Sequence, residues 1–339
     1  MEPYASVRAA WSALVEASPA ASIYHRHLWM ELLERSYGFR ITIASIRRQG
    51  EILAACAFAR SGVPFAKRLV ALPFSDDCAP LVSAGFSAEV LLELLPAQGP
   101  AGARYEVRDV IAPKPWQTVD CFQTWTLDLN RPVAAMHRAL DSNFRRNLKQ
   151  AAMRKIEIER GTSLDFLRRF YALVLDTRRR LGLPPQPWKF FRNVHSAFAP
   201  SGAIEIWLAR SGRTDEAAAV FLRDRASIYF KWAARKASDS QAAYGVNHLL
   251  VWNAVEAFAG QANFLDLGRT DIRNEGLNRF KRGVGATSRP LPYSFYPEAP
   301  AEPSSEVFHG RRKVLADIWR RLPLPATRIL GGALYRFLG

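Results

Sequence analysis

The chain has 339 residues, of which 49% are hydrophobic, and a formal net charge of +16. This length suits one large or two medium domains, and the apolar fraction is ordinary for a globular chain. The positive excess predicts an anionic partner, such as RNA, a phosphorylated donor, a lipid-linked pyrophosphate or a membrane surface, unless it reflects a proteome rich in Arg. The three cysteines are scattered and form no CxxC, which argues against a disulfide framework or a zinc ribbon and suits a reducing cytoplasm.

No segment looks like an export signal or a membrane span. The N-terminal MEPYASVRAAW carries an acidic residue and no apolar core follows it, so we expect no cleavable signal peptide. No apolar run reaches the roughly 18 residues that a spanning helix needs. His25 and His27 are two apart and would diverge on a helix, which favours a surface or capping role over metal binding. We expect no metal site and no tightly bound cofactor.

The sequence pattern of the first part of the chain predicts helices followed by antiparallel strands. A short helix is expected over Val7 to Val15, and a second over Trp29 to Tyr37, where apolar residues recur at helical spacing before Gly38. Residues 41–60 predict a β-hairpin with Gly50 in its turn. A further helix is expected to end near Leu95, and further strands are expected at 105–112 and 121–129.

Two adjacent aspartates form the sharpest feature of the first half. Asp76 and Asp77 lie in LPFSDDCAPLV, where Pro73 and Pro80 bracket them between apolar runs. The pattern predicts a fixed carboxylate, either as an Asx-turn or helix cap or as a general base or amine-orienting group. Spacing does not choose between the two residues.

Positive charge is concentrated around the middle of the chain. Residues 131–180 contain thirteen Arg and Lys against five Asp and Glu, a net charge of +8. A single helix is predicted from Pro132 to Lys155, with Arg145, Arg146 and Lys149 as neighbours on its surface. These three cations could clamp a phosphate or an RNA backbone, or form a solvated face.

The second half predicts two helices, three strands, a helix and a strand. The helices flank a Pro-rich loop at 183–187, and the strands are IEIWLAR, EAAAVFLRD and ASIYFKWAARK. The helix starts after Gly245 and ends near Gly260, and the strand covers Phe264–Leu267. A polar loop is expected next, which is either functional or solvated with one or two ion pairs. Within sixteen positions, this stretch includes Asp266, Arg269, Asp271, Asn274, Glu275 and Lys281.

Several motifs resemble the Fem-type acyltransferases. They are YGVNHLLVWNAVEAF with GRTDIRNEGLNRFKRGVGA, the basic SNFRRNLKQA, and DFLRRFYALVLDTRRRLGLPPQP. The resemblance implies an α/β (α+β) protein built from two N-acetyltransferase-like (GNAT) folds in tandem, with an amphipathic helical tail. The implied domains are 1–130, 131–300 and a basic tail at 301–339.

The same resemblance implies the site residues. Lys281, after Phe280, would stabilise the oxyanion of acyl transfer, or it is a surface lysine of RFKR. Lys231 is a secondary candidate. Donor and acceptor contacts are expected from Phe280, Tyr244, Asn247, Arg269, Asn274 and Glu275. Only one glycine stands where an acyl-CoA-binding loop normally carries several, which weakens acyl-CoA as the donor.

The sequence as a whole therefore predicts an acyltransferase. An acyl or aminoacyl group would pass from acyl-CoA or aminoacyl-tRNA to an amine or hydroxyl of a cell-envelope glycan, exopolysaccharide or lipid-linked precursor. Direct attack in a ternary complex is expected, because no GxSxG, catalytic Cys arrangement or P-loop occurs. The alternative is a non-catalytic protein that binds RNA or a membrane surface.

The tail and the location follow from the same patterns. Residues 310–339 combine apolar and basic side chains, so they would lie on an anionic membrane or pack on the protein itself. We expect a cytoplasmic monomer or dimer, peripheral on the inner face of the plasma membrane.

Overall fold

The computed structural model describes residues 1–62, 67–236, 245–300, 317 and 319–335. They divide into two compact units, residues 1–123 with 290–300 and residues 124–289 with those from 317 to 335. The sequence-based boundaries near residues 130 and 300 stay a prediction of domain organisation. Among the described residues, no helix is long and apolar enough to cross a membrane.

The first unit contains one sheet and three α-helices. The helices are α1 (Tyr4–Ala17), α2 (His27–Tyr37) and α3 (Ala88–Gln98). The strands before the chain enters the second unit are β1 (Glu2–Pro3), β2 (Ile41–Arg48), β3 (Glu51–Ser61), β4 (Arg68–Val70), β5 (Leu81–Val82), β6 (Arg104–Arg108) and β7 (Gln117–Val119). The predicted helix at 29–37 and the hairpin are confirmed, and Gly38 ends α2 in the left-handed conformation.

The second unit contains the other sheet. Its strands are β8 (Phe122–Asp128), β9 (Glu157–Gly161), β10 (Ile204–Ser211), β11 (Thr214–Asp224), β12 (Ser227–Arg235), β13 (Phe264–Asp271) and β14 (Thr287–Pro290). Its helices are α4 (Val133–Ala139), α5 (Ser142–Met153), α6 (Leu164–Leu181), α7 (Trp188–Phe198), α8 (Val246–Phe258), α9 (Glu275–Gly283) and α10 (Leu324–Leu334). A last strand, β15 (Tyr293–Tyr296), returns to the first unit and pairs there with β6 and β7.

Both sheets are mixed. The first has the strand order β1-β2-β3-β4-β6-β15-β7, with β5 beside β3, and the second has the order β14-β8-β13-β12-β11-β10-β9. In the second sheet, β9 to β12 form an antiparallel meander and β12 pairs with β13 in parallel. Phe258 of α8 packs within 5.4 Å, between ring centroids, of both Trp207 and Phe221. This contact fixes α8 on the β10–β11 part of the sheet.

The single helix predicted from Pro132 to Lys155 is wrong. The structure has two helices, because Leu140 adopts an extended ψ of 140° between them. The Asp141 side chain then accepts a hydrogen bond from the N–H of Phe144 and caps α5. The N–H of Asp141 is held by the carbonyl oxygen of Gly283, 3.0 Å away. A partner distant in sequence therefore breaks the local helical pattern.

The polar loop predicted after Leu267 is mostly regular structure. Strand β13 continues to Asp271, and α9 begins at Glu275, so only residues 272–274 connect them. The side chain of Asn274 accepts a hydrogen bond from the N–H of Leu277 and starts the helix. Asn is a preferred helix N-cap, so Asn274 indicated a helix start, but the many charged residues around it favoured a loop.

The described part of the tail packs on the second unit itself. Helix α10 contacts α6, and a Cβ added at Gly331 would lie 2.6 Å from Cδ of Pro185. Arg179 of α6 donates from Nε to the carbonyl oxygen of Arg320, over 3.2 Å. Of the two predicted arrangements, membrane binding or packing on the protein itself, residues 319–335 adopt the second. Residues 301–316 and 336–339, which carry much of the predicted basic tail, lie outside the described residues.

Candidate functional site

Two neighbouring strands of the second unit diverge. Strands β12 and β13 pair only through Ser227, Ile228 and Tyr229, the last opposite Asp266. Strand β12 then runs on to Arg235 and β13 to Asp271 without further pairing between them. Each strand therefore turns part of its backbone toward the opening between them, here called the splay.

A β-bulge lies where the splay begins. Trp232 is opposite Val220 and Phe230 is opposite Phe221, so the register of the two strands skips Lys231. A bulge interrupts the ladder and re-aims backbone groups, and bulges recur beside active sites. The predicted candidate Lys231 thus marks the start of the splay through its backbone. Its Nζ lies 5.8 Å from the ring centroid of Trp232.

Beyond the bulge, one residue of β12 has an open edge. The N–H of Lys236 donates to the carbonyl oxygen of Glu216 on β11. In an antiparallel pair, the backbone groups of successive residues point alternately toward and away from the partner strand. The N–H and C=O of Arg235 and Ala233 therefore point away from β11, toward the splay. Within the described chain, Arg235 finds partners there and Ala233 does not. An exposed N–H and C=O pair at Ala233 can bind an extended, amide-bearing ligand as a short extra strand.

Helix α8 starts close against α5. Gly245 caps it with φ of +85°, and a Cβ there would lie 2.2 Å from the carbonyl oxygen of Asn147. The first turn of a helix presents unpaired N–H groups and a positive dipole, which favour phosphate. The predicted contact Tyr244 lies outside the described residues. Asn147 of α5 has the start of α8 directly against it.

The first turn of α8 contains two buried polar atoms that find no hydrogen-bond partner among the described residues. They are Oδ1 of Asn247 and Nδ1 of His248. The His248 ring lies against Phe144 and Phe280, with centroids 4.6 and 4.9 Å away. Burial lowers the pKa of His248 to about 4, so its imidazole is neutral at pH 7. Phe280, predicted to bind substrate, is thus an aromatic wall beside the start of α8.

Lys281 is buried beneath the diverged end of β13. Its Nζ donates to the carbonyl oxygens of Gly268 and Arg269, at 2.9 and 3.2 Å, and to Oγ1 of Thr270, at 2.7 Å. The alternative of a surface lysine is therefore wrong, since the residue is only 4% exposed. The ammonium brings a positive charge to the strand that forms one side of the splay. Its predicted role in stabilising an oxyanion stays a prediction.

Other residues of the predicted loop support the same strand end. Nδ2 of Asn278 donates to the carbonyl oxygens of Asp271 and Ile272. Burial acts to raise the pKa of Asp271, but hydrogen bonds from Arg273 outweigh it and the pKa lies below its usual value. Of the predicted contacts, Arg269 meets Lys281 through its carbonyl oxygen, Asn274 caps α9, and Glu275 is exposed in the first turn of α9.

The basic side chains predicted on α5 are exposed. Arg145, Arg146 and Lys149 share the face of α5 that points away from the core, and Arg146 bonds to the side chain of Asn143. Among the described residues none of the three forms an ion pair. Because α5 abuts the start of α8, these cations add to the positive field there.

The aspartate pair lies in the first unit and is held by hydroxyl groups. Oδ1 of Asp77 accepts from Oγ of Ser22, and Oδ2 of Asp76 accepts from the hydroxyl of Tyr24, each over 2.8 Å. His25 is buried and its Nδ1 accepts from the N–H of Ser22, which is the capping role. Both carboxylates are thus fixed, as expected, and their catalytic role stays a prediction.

A buried ion pair braces the loop that carries these aspartates. Arg108 donates to the carbonyl oxygens of Leu72 and Ser75 and to the carboxylate of Glu106. Burial acts to raise the pKa of Glu106, but Arg108 and Arg68 outweigh it and hold the pKa below its usual value. Arg108 therefore holds the part of the loop that precedes Asp76.

Sequence reasoning missed four residues that shape the splay. They are Thr177, which bonds to the backbone of Arg235, Ala233, whose backbone groups face the splay, His248 and Asn278. Asn278 lies one turn before Lys281 on a helix, so recognising α9 would have found it. The register that exposes Ala233 and the contact of Thr177 leave no local signal.

The comparisons with known proteins agree with this geometry. Residues 138–282 match the family model described as an acetyltransferase (GNAT) domain. This range spans α5 to α9 and so includes the whole splay. No curated protein matches the chain.

Solved structures resemble nearly the whole chain at low sequence identity. FemX matches with a TM-score of 0.60 and 13% identity, over 83% of this chain and 94% of its own. L-PGS from Bacillus licheniformis matches with a TM-score of 0.53 and 14% identity, over 96% of both chains. A tandem GNAT protein from the clavulanic acid biosynthesis pathway matches with a TM-score of 0.52 and 13% identity, over 88% of this chain and 96% of its own. These matches show a tandem GNAT-like fold.

Proposed function

We propose that the chain is an acyltransferase and that the splay of the second unit binds the acyl donor, since residues 138–282 match the family model of a GNAT acetyltransferase domain. The open backbone edge at Ala233 carries the proposal. It offers one N–H and one C=O to an extended donor arm, immediately after the bulge at Lys231. Helix α8 follows β12 in the chain, and its N-terminal turn suits the donor's phosphate.

The reaction is direct attack of an acceptor amine or hydroxyl on the donor's carbonyl carbon. A bond forms from the acceptor to that carbon, the carbonyl oxygen becomes an oxyanion, and the bond to the donor's sulfur or ribose oxygen then breaks. The acceptor's proton passes to a base, and the leaving group takes up a proton. Lys281 and the bulged backbone support the oxyanion side of the site.

The donor is either an acyl-CoA or an aminoacyl-tRNA, and both present phosphate. The exposed Arg145, Arg146 and Lys149 beside the start of α8 suit either one. The single glycine before α8 favours the tRNA ester, whereas GNAT folds typically use acyl-CoA. The assay titrates the full chain with acetyl-CoA, longer acyl-CoAs and charged tRNA, at two salt concentrations. Binding of charged tRNA that depends on the attached amino acid would select the aminoacyl donor.

The acceptor we propose is a cell-envelope glycan, an exopolysaccharide or a lipid-linked precursor. The motifs shared with Fem-type proteins support this choice, and the structural neighbours include the C-terminal domain of a putative lysylphosphatidylglycerol synthetase from Agrobacterium fabrum. A lipid-linked acceptor would suit a cytoplasmic protein, monomeric or dimeric, at the inner face of the membrane. Co-sedimentation with anionic and neutral vesicles tests that location.

The decisive variant is Ala233→Pro. Proline has no N–H, and because this N–H points into the splay its loss leaves the β11–β12 ladder intact. We expect donor binding to weaken about tenfold or more while the melting temperature stays near that of the wild type. Ala233→Val keeps the N–H and is the matched control. A folded proline variant that binds donor normally would remove the main support for this site.

A failure of every donor to bind would count against the catalytic function. If neither acyl-CoA nor charged tRNA binds above a salt-sensitive background, the non-catalytic alternative gains. RNA or vesicle binding would then depend on Arg145, Arg146 and Lys149 but not on Ala233 or Lys281.

A further inference from the structure

The side chain of Thr177 closes the edge of β12 beyond Ala233. Its hydroxyl, on the last turns of α6, donates to the carbonyl oxygen of Arg235 over 2.7 Å. The same hydroxyl accepts from the N–H of Arg235 over 2.9 Å. One side chain thus satisfies both backbone groups that a neighbouring strand would otherwise bind.

The open edge is therefore short and has two defined ends. The bulge at Lys231 limits it on one side, and the Thr177 hydroxyl limits it at Arg235 on the other. Only the backbone groups of Ala233 remain for a ligand between them. An extended arm that pairs at Ala233 must leave the strand when it reaches Arg235.

We propose that Thr177 is a positioning residue that sets where the donor's arm leaves β12. This inference rests on the proposed function of the splay as the donor site. Thr177 acts through the backbone of Arg235, and it directs the distal, phosphate-bearing part of the donor away from the strand. Donors that end before Arg235 do not use it.

The test compares Thr177→Val, which keeps the shape and loses both hydrogen bonds, with Thr177→Ser, which keeps the hydroxyl. The rate of hydrogen exchange at the Arg235 amide reports its hydrogen bond to Thr177, and this measurement needs no donor and no activity assay. We expect its protection to fall in the valine variant and to persist in the serine variant. Ser201→Ala is the matched control, since Ser201 also donates to a backbone carbonyl in the same unit, that of Phe198.

The functional readout is the ratio of kcat/KM for a full donor to kcat/KM for a truncated one. The pairs are acetyl-CoA with S-acetyl-N-acetylcysteamine, or aminoacyl-tRNA with aminoacyl-adenosine. Losing two hydrogen bonds should lower this ratio about tenfold in Thr177→Val, chiefly through KM of the full donor, and serine should restore it.

The outcomes separate the two proposals. If the wild type transfers from none of these donors, the proposed function fails and the role of Thr177 fails with it. If the wild type is active and Thr177→Val loses Arg235 protection with an unchanged ratio, the cap is structural only and this inference alone is overturned. An unchanged Arg235 exchange rate would overturn the cap itself.

Discussion

Replacing Lys281 with Met tests the buried ammonium beneath the splay. Methionine keeps an unbranched stem of similar length and removes the charge together with its hydrogen bonds. The three lost bonds have lengths of 2.7 to 3.2 Å and end on Gly268, Arg269 and Thr270. Because these acceptors belong to the diverged end of β13, the substitution should loosen the strand and weaken transfer together.

The expected magnitude follows from those contacts. A hydrogen bond to a charged group contributes about 1.5–3 kcal/mol, and three such bonds are offset by the cost of burying the ammonium, which methionine avoids. We therefore expect a loss of about 2–4 kcal/mol in the free energy of unfolding. With a urea slope of about 2 kcal/mol per molar, the unfolding midpoint should fall by about 1–2 M. Losing the positive charge should lower kcat by about 10²–10³.

Urea unfolding and acyl transfer are measured on the same preparations, and transfer is assayed at urea concentrations where both proteins are folded. Arg279→Met is the matched control, because Arg279 is an exposed cation on the same helix and should change neither quantity by more than a few tenths of a kcal/mol. An unaltered unfolding midpoint for Lys281→Met would refute the buried contacts. A lowered midpoint with full kcat would refute any part for Lys281 in transfer.

Three further predictions concern buried groups elsewhere. Burial lowers the pKa of His25 from 6.5 to about 4, so the unfolded chain binds this proton at a higher pH than the folded chain does. The free energy of unfolding should therefore fall as the pH drops from 6.5 to 4, by up to about 3 kcal/mol. Urea midpoints measured across this range should show a pH dependence that His25→Gln reduces. Gly245→Ala, with φ of +85° and Asn147 in the way, should lower the melting temperature and weaken donor binding in calorimetry, whereas unchanged binding would contradict the place given to the start of α8. Gly331→Val should displace α10 from Pro185 and expose the 319–335 segment to limited proteolysis, and continued protection would show that this packing is dispensable.

Local patterns in the sequence were sufficient where a segment's partners are its own neighbours. Helix α6, the hairpin around Gly50 and the β10–β12 meander were all predicted, because apolar spacing and turn residues specify them within a few positions. The motifs near Lys281 also identified the acyltransferase fold and the segment that holds the splay. Burial of Lys281 excludes a surface lysine, and its role in transfer stays a prediction.

The tertiary structure decided everything that depends on a distant partner. Helix α5 begins at Asp141 because the carbonyl of Gly283 holds its N–H, and no local pattern contains that contact. The open edge at Ala233 follows from a bulge and a register shift, and the cap on Arg235 comes from Thr177, which lies 58 positions earlier in the chain. Periodicity records which face of a segment is buried, but it does not record which backbone groups a neighbouring element leaves unpaired. The sequence alone therefore determined the family likeness and the main elements, while the divergence of β12 and β13, on which the proposed donor site rests, depends on the tertiary structure.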